Sequence, residues 1–303
     1  MTISSHEVEE ALARCEGIFT RLGVPGSACT TFAIGGPLAY LVEPKNTAAL
    51  SGLMVTLHDL SLPFRILGAG SNVLVPDEGV SEIVIRLGEG FRSIERRGDG
   101  LFGVGASVSV MRLSRDLSMG GFAGLEFAGG IPASFGGAAV MNAGAHGGEF
   151  GDILERVTVV LPDGSIEVVE RQSLAITYRH GGIPAGSVVV SGEIRLVPSD
   201  AAVVAEKRAL FLAHRKKTQP LHLPSAGSVF RNPVGHYAGE LIEGCGLKGY
   251  RSGAAQISPL HANWIVNPER AATALDVRAL IARAIDEVQQ HRDIELVPEV
   301  RLW

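Results

Sequence analysis

The chain has 303 residues, room for two or three domains at roughly 100–200 residues each, and its 46% hydrophobic and 19% charged content excludes a disordered polymer. Its 27 basic and 32 acidic residues leave a net charge of −5 without a basic stripe, which argues against a nucleic-acid partner or a membrane surface. Three cysteines, Cys15, Cys29 and Cys245, form no CxxC pair, and the nine histidines show no metal-ligand spacing, so neither a disulfide framework nor a bound metal is expected.

The first residues carry His6, Glu7, Glu9 and Glu10 where a signal peptide would carry lysines and an apolar run, which predicts a cytoplasmic protein. Val8, Leu12, Cys15, Phe19 and Leu22 recur at spacings of four and three behind Ser4 and Glu7, the pattern of an amphipathic helix opened by a capping box. From Phe32 to Leu87 the order is strand (Tyr40–Val42), helix (Leu50, Leu53, Met54, Leu57), then strands near Phe64–Leu67, Val73–Val75 and Ile83–Ile85. A second block predicts strands near Leu101–Val104, Val157–Leu161 and Ile166–Val169, the last two joined by Pro162-Asp163-Gly164, with a helix over Val110, Leu113 and Leu117 that stops at Gly120-Gly121. Ser199-Asp200 and a helix over Ala201–Lys217 lead into a third block, with strands near Val229, Trp264–Val266 and Glu295–Leu302. Its one clear helix is Thr273–His291, with a single apolar face. Strands and helices cluster in runs, so the class is α+β, and the expected domains are 1–90, 91–200 and 201–303.

Glycine is the compositional outlier. Of 38 glycines, 20 lie between Arg65 and Gly151 with no Gly-X-Y period, which excludes collagen and means that the backbone there turns with positive φ or approaches something closely. Leu67-Gly68-Ala69-Gly70-Ser71-Asn72 and Gly103-Val104-Gly105 each contain GxG, but Val73 and Val108 stand where a dinucleotide fingerprint needs its third glycine, which leaves Glu89 without a ribose role; no P-loop occurs. The run from Gly129 to Ala145 is built almost wholly of small residues. Successive amides freed by glycine converge into anion-binding nests, and two such nests on separate segments suit an extended dinucleotide pyrophosphate.

Six ordered blocks carry a resemblance that spans nearly the whole chain: Thr30–Pro37, Leu67–Leu74, Gly130–Ala145, Tyr178-Arg179, Gly227–Pro233 and Pro298–Val300. In order and spacing they resemble the UDP-N-acetylenolpyruvoylglucosamine reductases of bacterial peptidoglycan synthesis, in the shorter form that lacks an extra substrate-covering loop. The resemblance implies an FAD-binding module of two α+β subdomains, of the kind shared with vanillyl-alcohol-oxidase-like flavoproteins, followed by an α+β substrate-binding domain. It implies tightly bound FAD, held without a covalent bond. NADPH is the implied hydride donor and UDP-N-acetylglucosamine enolpyruvate the substrate, with no obligate protein partner.

Carried over residue by residue, the resemblance places FAD on Gly68, Ala69, Gly70, Ser71, Asn72, Val73 and Leu74, on Pro132, Ala133, Ser134, Gly136 and Gly137, and on Asn142, Ala143, Gly144 and Ala145. It implies Arg179 beside the enolpyruvyl carboxylate, Ser228 as proton donor with Ser225 as a nearby decoy, and Glu299 as the assisting carboxylate. Lys217, Arg231, Asn232 and Gln256 are further candidates for the diphosphate or nicotinamide phosphates. Guanidinium offers paired donors to a carboxylate, whereas a serine hydroxyl is a weak acid that needs neighbouring donors. Taken alone, Arg179 reads as a surface arginine, Ser228 as a turn residue after Gly227, and Glu299 as an exposed strand glutamate.

Two departures stand out. Ala133 replaces the usual glycine and is strained by about 1 kcal/mol if that position needs positive φ; His180-Gly181 follows Arg179 where many members carry a small polar pair. Two competing readings remain at this point: an oxidase of the same fold with flavin attached through Cys29 or His146, and a non-catalytic nucleotide-sugar binder.

Overall fold

The computed structural model describes residues 4–303, and its internal contacts divide it into two units. The first comprises residues 4–22, Tyr40–Gly68 and Glu82–Phe211; the second comprises Gly23–Ala39, Ala69–Ser81 and Leu212–Trp303. This division differs from blocks cut at 90 and 200, because two short early segments belong with the C-terminal residues and the last boundary falls inside a helix.

In the first unit, helix α1 (Ser5–Arg14) opens with the expected capping box: Ser4 Oγ accepts from the Glu7 amide at 3.3 Å and Glu7 Oε2 accepts from the Ser4 amide at 2.7 Å. It ends eight residues before Leu22. Gly17 takes φ +73°, the chain turns into the strand Ile18–Pro25, and Phe19 and Leu22 lie exposed instead of extending an apolar helix face. Helix α2 (Thr47–Asp59) buries Leu50, Leu53, Met54 and Leu57 as its spacing predicts, with Asn46 as N-cap. The strands Ile18–Pro25, Pro37–Pro44, Val80–Ile85 and Phe64–Ile66 form a four-stranded sheet in that order.

A five-stranded antiparallel sheet forms the rest of this unit, in the order Ile166–Glu170, Leu154–Val160, Val188–Arg195, Leu101–Gly105, Ile94–Arg96. Its central strand, Val188–Arg195, is absent from the sequence-based expectation. Helices α3 (Val110–Met119) and α4 (Phe135–Met141) belong to the core that joins Phe102, Val104, Leu113, Phe135, Val157 and Ile194. Gly192 lets that core close: a Cβ there would stand 2.9 Å from the ring of Phe135. Burying a ring such as Phe135 contributes roughly 1.5–3 kcal/mol. Helix α5 (Ala201–Thr218) follows.

In the second unit, the strands Ser225–Ser228, Trp264–Val266, Ala255–Ile257 and Arg251–Ser252 form a four-stranded antiparallel sheet in that order. Helices α6 (Ala238–Gly244) and α7 (Ala274–Arg292) supply Ile242, Val277, Leu280, Ile281, Ala284 and Val288 to a core with Phe32, Ala226, Ile257 and Ile265. Helix α7 carries a capping box between Thr273 and Asp276, and its first two amides donate to the Asp77 carboxylate at 2.7 and 3.0 Å. The expected strand over Glu295–Leu302 is ladder-paired only at Arg301–Leu302, parallel to Val73–Leu74.

Candidate active site

The loop after the strand Phe64–Ile66 depends on its glycines. A Cβ on Gly70 would lie 2.1 Å from the Cys29 carbonyl oxygen, and the residue holds φ +67°, so only glycine suits the position. A Cβ on Gly68 would stand 2.8 Å from Ser134 Oγ, which places this first glycine against the start of α4. Among the described residues, the amides of Ala69, Gly70, Ser71 and Asn72 donate to no acceptor of the protein, while the Gly70 carbonyl is taken by the Thr31 amide at 3.0 Å. A run of free amides on a glycine loop is the donor set that a phosphate requires.

The small-residue segment is arranged differently. Ser134 is the N-cap of α4 and accepts from the Gly137 amide at 3.3 Å, while the Phe135 and Gly136 amides donate to the Val108 and Ala106 carbonyls at 2.8 and 2.9 Å. The backbone donors expected here to face a pyrophosphate are therefore largely used within the protein, and what this segment offers is close approach by small side chains. Ala133 has an ordinary negative φ, so the strain considered for it is absent. Its carbonyl instead accepts from the Val110 amide at 3.0 Å.

Asn142 ends α4 at φ +41° and is buried; its side chain donates to the Thr177 carbonyl at 3.0 Å and accepts from the Gly151 amide at 2.8 Å. This bond draws the Thr177–His180 turn onto the end of α4. Thr177 and His180 exchange amide bonds of 2.9 Å, and between them Arg179 holds φ +58°, a conformation that costs a non-glycine residue about 1 kcal/mol. The Arg179 guanidinium donates to the Gly144 carbonyl at 3.2 Å and lies 5.0 Å from the Tyr178 ring. The departure at His180-Gly181 has a structural reason: a Cβ on Gly181 would stand 1.8 Å from the Ala139 carbonyl oxygen, so glycine lets the turn dock. His146 stacks on Phe211 at 4.4 Å in the hairpin after Ala145, and Cys29 is half-buried.

In the second unit, the register places Ser228. Ser225 pairs with Val266 and Ser228 with Trp264, so two residues, Ala226 and Gly227, stand opposite Ile265 in a bulge. Gly227 takes φ +75° there. The extra residue puts Ser225 and Ser228 on the same sheet face, together with Trp264, Val266 and, through the pair Gln256–Val266, Gln256. Ala226, Ile257 and Ile265 point the other way, into the core with α7.

Past the bulge, Asn263 clamps Phe230 by accepting from its amide and donating to its carbonyl, both at 2.9 Å. The Glu299 amide donates to the Val229 carbonyl at 2.7 Å, and the Arg231 amide to Val297 at 3.0 Å. The Asn72 side chain donates to the Glu299 carbonyl at 3.1 Å and its own carbonyl accepts from the Arg301 amide at 2.9 Å. These bonds bring the segment after Ser228, the segment 297–299 and Asn72 together. Asn232 accepts from the Ala238 amide at 3.0 Å, and Lys217 is exposed near the end of α5.

Because open space surrounds a Cβ at Gly227, only its φ opposes a side chain. Gly227→Ala is expected to cost about 1 kcal/mol of stability and roughly 10²-fold in turnover, because the bulge aims Ser228. Thermal unfolding and steady-state rates measured on the same preparation check both, and unchanged turnover would refute the aiming role.

Two buried polar groups here escape sequence reasoning. Arg215 is 7% exposed, donates from Nε to Gln219 at 2.8 Å and has a buried Nη1 with no partner; burial lowers its pKa. The indole Nε1 of Trp264 is likewise buried without a partner. Locally, Arg215 reads as a cation in the last turn of a helix and Trp264 as an apolar strand residue, so nothing nearby in the chain distinguishes them.

Comparison with known proteins follows the same lines. Residues 37–170 match the family described as an FAD binding domain, and residues 219–303 match UDP-N-acetylenolpyruvoylglucosamine reductase, C-terminal domain. The UDP-N-acetylenolpyruvoylglucosamine reductase of Halalkalibacterium halodurans is 40% identical over 274 residues, 90% of each chain, and that of Bacillus subtilis is 38% identical over 275 residues, again 90% of each. The crystal structure of the reductase from Thermus caldophilus superposes with a TM-score of 0.82 at 37% identity, covering 94% of this chain and 100% of that one. The α+β architecture with an FAD-binding module and a C-terminal domain is therefore shared along nearly the full length, and the chain belongs to the UDP-N-acetylenolpyruvoylglucosamine reductase family.

Proposed function

We propose that this protein reduces the enolpyruvyl group of UDP-N-acetylglucosamine enolpyruvate to give UDP-N-acetylmuramate, using NADPH and FAD. The observation that supports the reading is the Gly227 bulge, which turns Ser228 to the face shared with Gln256, while the Glu299 amide is bonded to the Val229 carbonyl beside it. Among the described residues no helix is long and apolar enough to cross a membrane; the cytoplasmic location follows from the proposed sugar-nucleotide substrate alone.

The residues present fit FAD. In the second unit the unengaged amides of Ala69–Asn72 offer donors to a pyrophosphate and Gly70 allows a close approach; in the first unit Gly68, Ser134 and Asn142–Ala145 are small or closely approached residues of the kind a flat cofactor needs. When bound, FAD supplies a two-electron carrier able to take hydride from NADPH and deliver it to the vinyl methylene carbon of the substrate.

The chain's own residues do the rest. Arg179 pairs with the substrate carboxylate through its planar guanidinium and stabilises the enolate as negative charge grows on it. Ser228 donates its hydroxyl proton to the carbon next to that carboxylate, a step possible for so weak an acid because the acceptor is carbanion-like. Glu299, whose amide is bonded to the Val229 carbonyl next to Ser228, assists that protonation. Arg231, Asn232, Gln256 and Lys217 bind the diphosphate or the nicotinamide phosphates.

A spectrum of the purified protein tests this. Yellow flavin absorption, bleached anaerobically by NADPH and restored by the enolpyruvyl nucleotide, is the expected result. A colourless protein that binds the nucleotide would favour a non-catalytic binder, and colour retained on the precipitated chain after acid treatment would point to an attached flavin.

A further inference from the structure

We propose that Asn263 is a positioning residue for the proton transfer: its side-chain amide stands in for a missing length of strand and fixes residues 229–231, from which Ser228 and Glu299 take their places. This inference rests on the proposed reductase reaction and adds to it a residue that acts through its neighbours.

In the sequence, His261-Ala262-Asn263 reads as an ordinary turn, a place where asparagine is common. The structure gives the side chain another use. The strand Ser225–Ser228 pairs with Trp264–Val266 as far as the Ser228–Trp264 pair, where the partner strand ends. There the chain turns at Ala262-Asn263, and the Trp264 amide donates back to the His261 carbonyl at 3.0 Å. Val229 and Phe230 run on beyond that end, 1% and 2% exposed, with backbone groups that need partners away from water.

Asn263, itself buried, meets them. Its backbone carbonyl accepts from the Val229 amide at 2.9 Å, its Oδ1 accepts from the Phe230 amide and its Nδ2 donates to the Phe230 carbonyl, both at 2.9 Å. A side-chain amide carries the same donor and acceptor as a peptide group, so this reciprocal pair is the one that a further antiparallel strand residue would make. Asn263 is fixed in turn, because its amide donates to His261 Nδ1 at 3.2 Å and the His261 amide donates to Ser258 Oγ at 3.4 Å.

The other edge of the same segment holds Glu299. The Val229 carbonyl accepts from the Glu299 amide at 2.7 Å and the Arg231 amide donates to the Val297 carbonyl at 3.0 Å, on either side of the bridge between Phe230 and Pro298. Phe230 is thus the midpoint, with Ser228 two residues before it. Loss of the side-chain clamp strips the Phe230 peptide groups of both partners and frees the segment to shift, which moves Ser228 and Glu299 together. A misplacement of about 1 Å costs roughly 10²-fold in rate.

The test is Asn263→Ala, made alone and together with Ser228→Ala, in the holoenzyme and with rates expressed per bound flavin. Alone, it is expected to slow formation of UDP-N-acetylmuramate from the NADPH-reduced enzyme at saturating enolpyruvyl nucleotide roughly 10²-fold, while reduction of the flavin by saturating NADPH stays within a fewfold of wild type. In Ser228→Ala the same substitution should cost nothing further, because two residues that act through one hydroxyl are not additive. Losses that multiply, or that strike both half-reactions alike, belong to a merely structural side chain and overturn the proposal, as does an unchanged rate. A wild-type protein that never turns over this nucleotide refutes the reductase reading itself.

A second measurement needs no variant. In the wild-type holoenzyme the Phe230 amide, held by a side chain, is expected to exchange with deuterium as slowly as the Val229 amide, held by a backbone carbonyl. Fast exchange at Phe230 beside slow exchange at Val229 shows that the clamp is not kept in solution and overturns the proposal.

Discussion

Ser228→Ala is expected to leave reduction of the flavin by NADPH intact and to lower formation of UDP-N-acetylmuramate by roughly 10²- to 10⁴-fold, the range for loss of a positioned general acid. Stability should barely change, since Ser228 is half-buried and its strand is held by backbone bonds: the neighbouring Val229 amide donates to the Asn263 carbonyl at 2.9 Å. Stopped-flow anaerobic reduction separates the two halves of the reaction, with product formation followed by chromatography. Ser225→Ala is the matched control. Ser225 occupies the same face one row away, and its amide and carbonyl are bonded to Thr31 at 3.1 and 2.6 Å. The control should stay within a fewfold of wild type, and equal losses in both variants would show that the hydroxyl of Ser228 has no special role.

Arg179→Ala is expected to lower kcat/KM for the enolpyruvyl nucleotide by roughly 10²- to 10³-fold, as for removal of a donor aimed at developing negative charge. Arg179→Lys should recover only part of it, because an ammonium presents a point charge in place of a planar fork. The backbone supports this reading. A residue at φ +58° in a two-residue turn carries strain that glycine would not, and strained positions persist where the surrounding structure holds them for a use. The Asn142 bond to Thr177 and the close approach of Gly181 to Ala139 are what hold it. Circular dichroism and thermal unfolding should show both variants folded, and wild-type kinetics in Arg179→Ala would remove Arg179 from the mechanism.

Local rules made much of this molecule legible. Ser4 with Glu7, and Thr273 with Asp276, announce helix starts because a capping box satisfies its donors within four residues. The glycines at 68 and 70 announce a close-approach loop because only a missing Cβ permits it. Spacing misled where a turn interrupts a pattern that continues by chance: Cys15, Phe19 and Leu22 keep helical intervals across Gly17, whose positive φ ends the helix. The strand Val188–Arg195 is buried along most of its length, so it shows no alternation to read from the sequence.

The candidate site divides in the same way. Ordered motifs identify the family, and through that resemblance Arg179, Ser228 and Glu299 are proposed for the reaction, because motif order and spacing are properties of the chain. The face on which Ser228 stands is not, since it depends on one bulge residue shifting the register against Trp264. Nor does the chain show that Asn72 ties to Glu299 across 227 positions, that the amides beginning α4 are already engaged, or that Trp264 buries a donor without an acceptor. Those facts depend on which distant segments meet, and hydrogen-bond satisfaction is settled only once they have met.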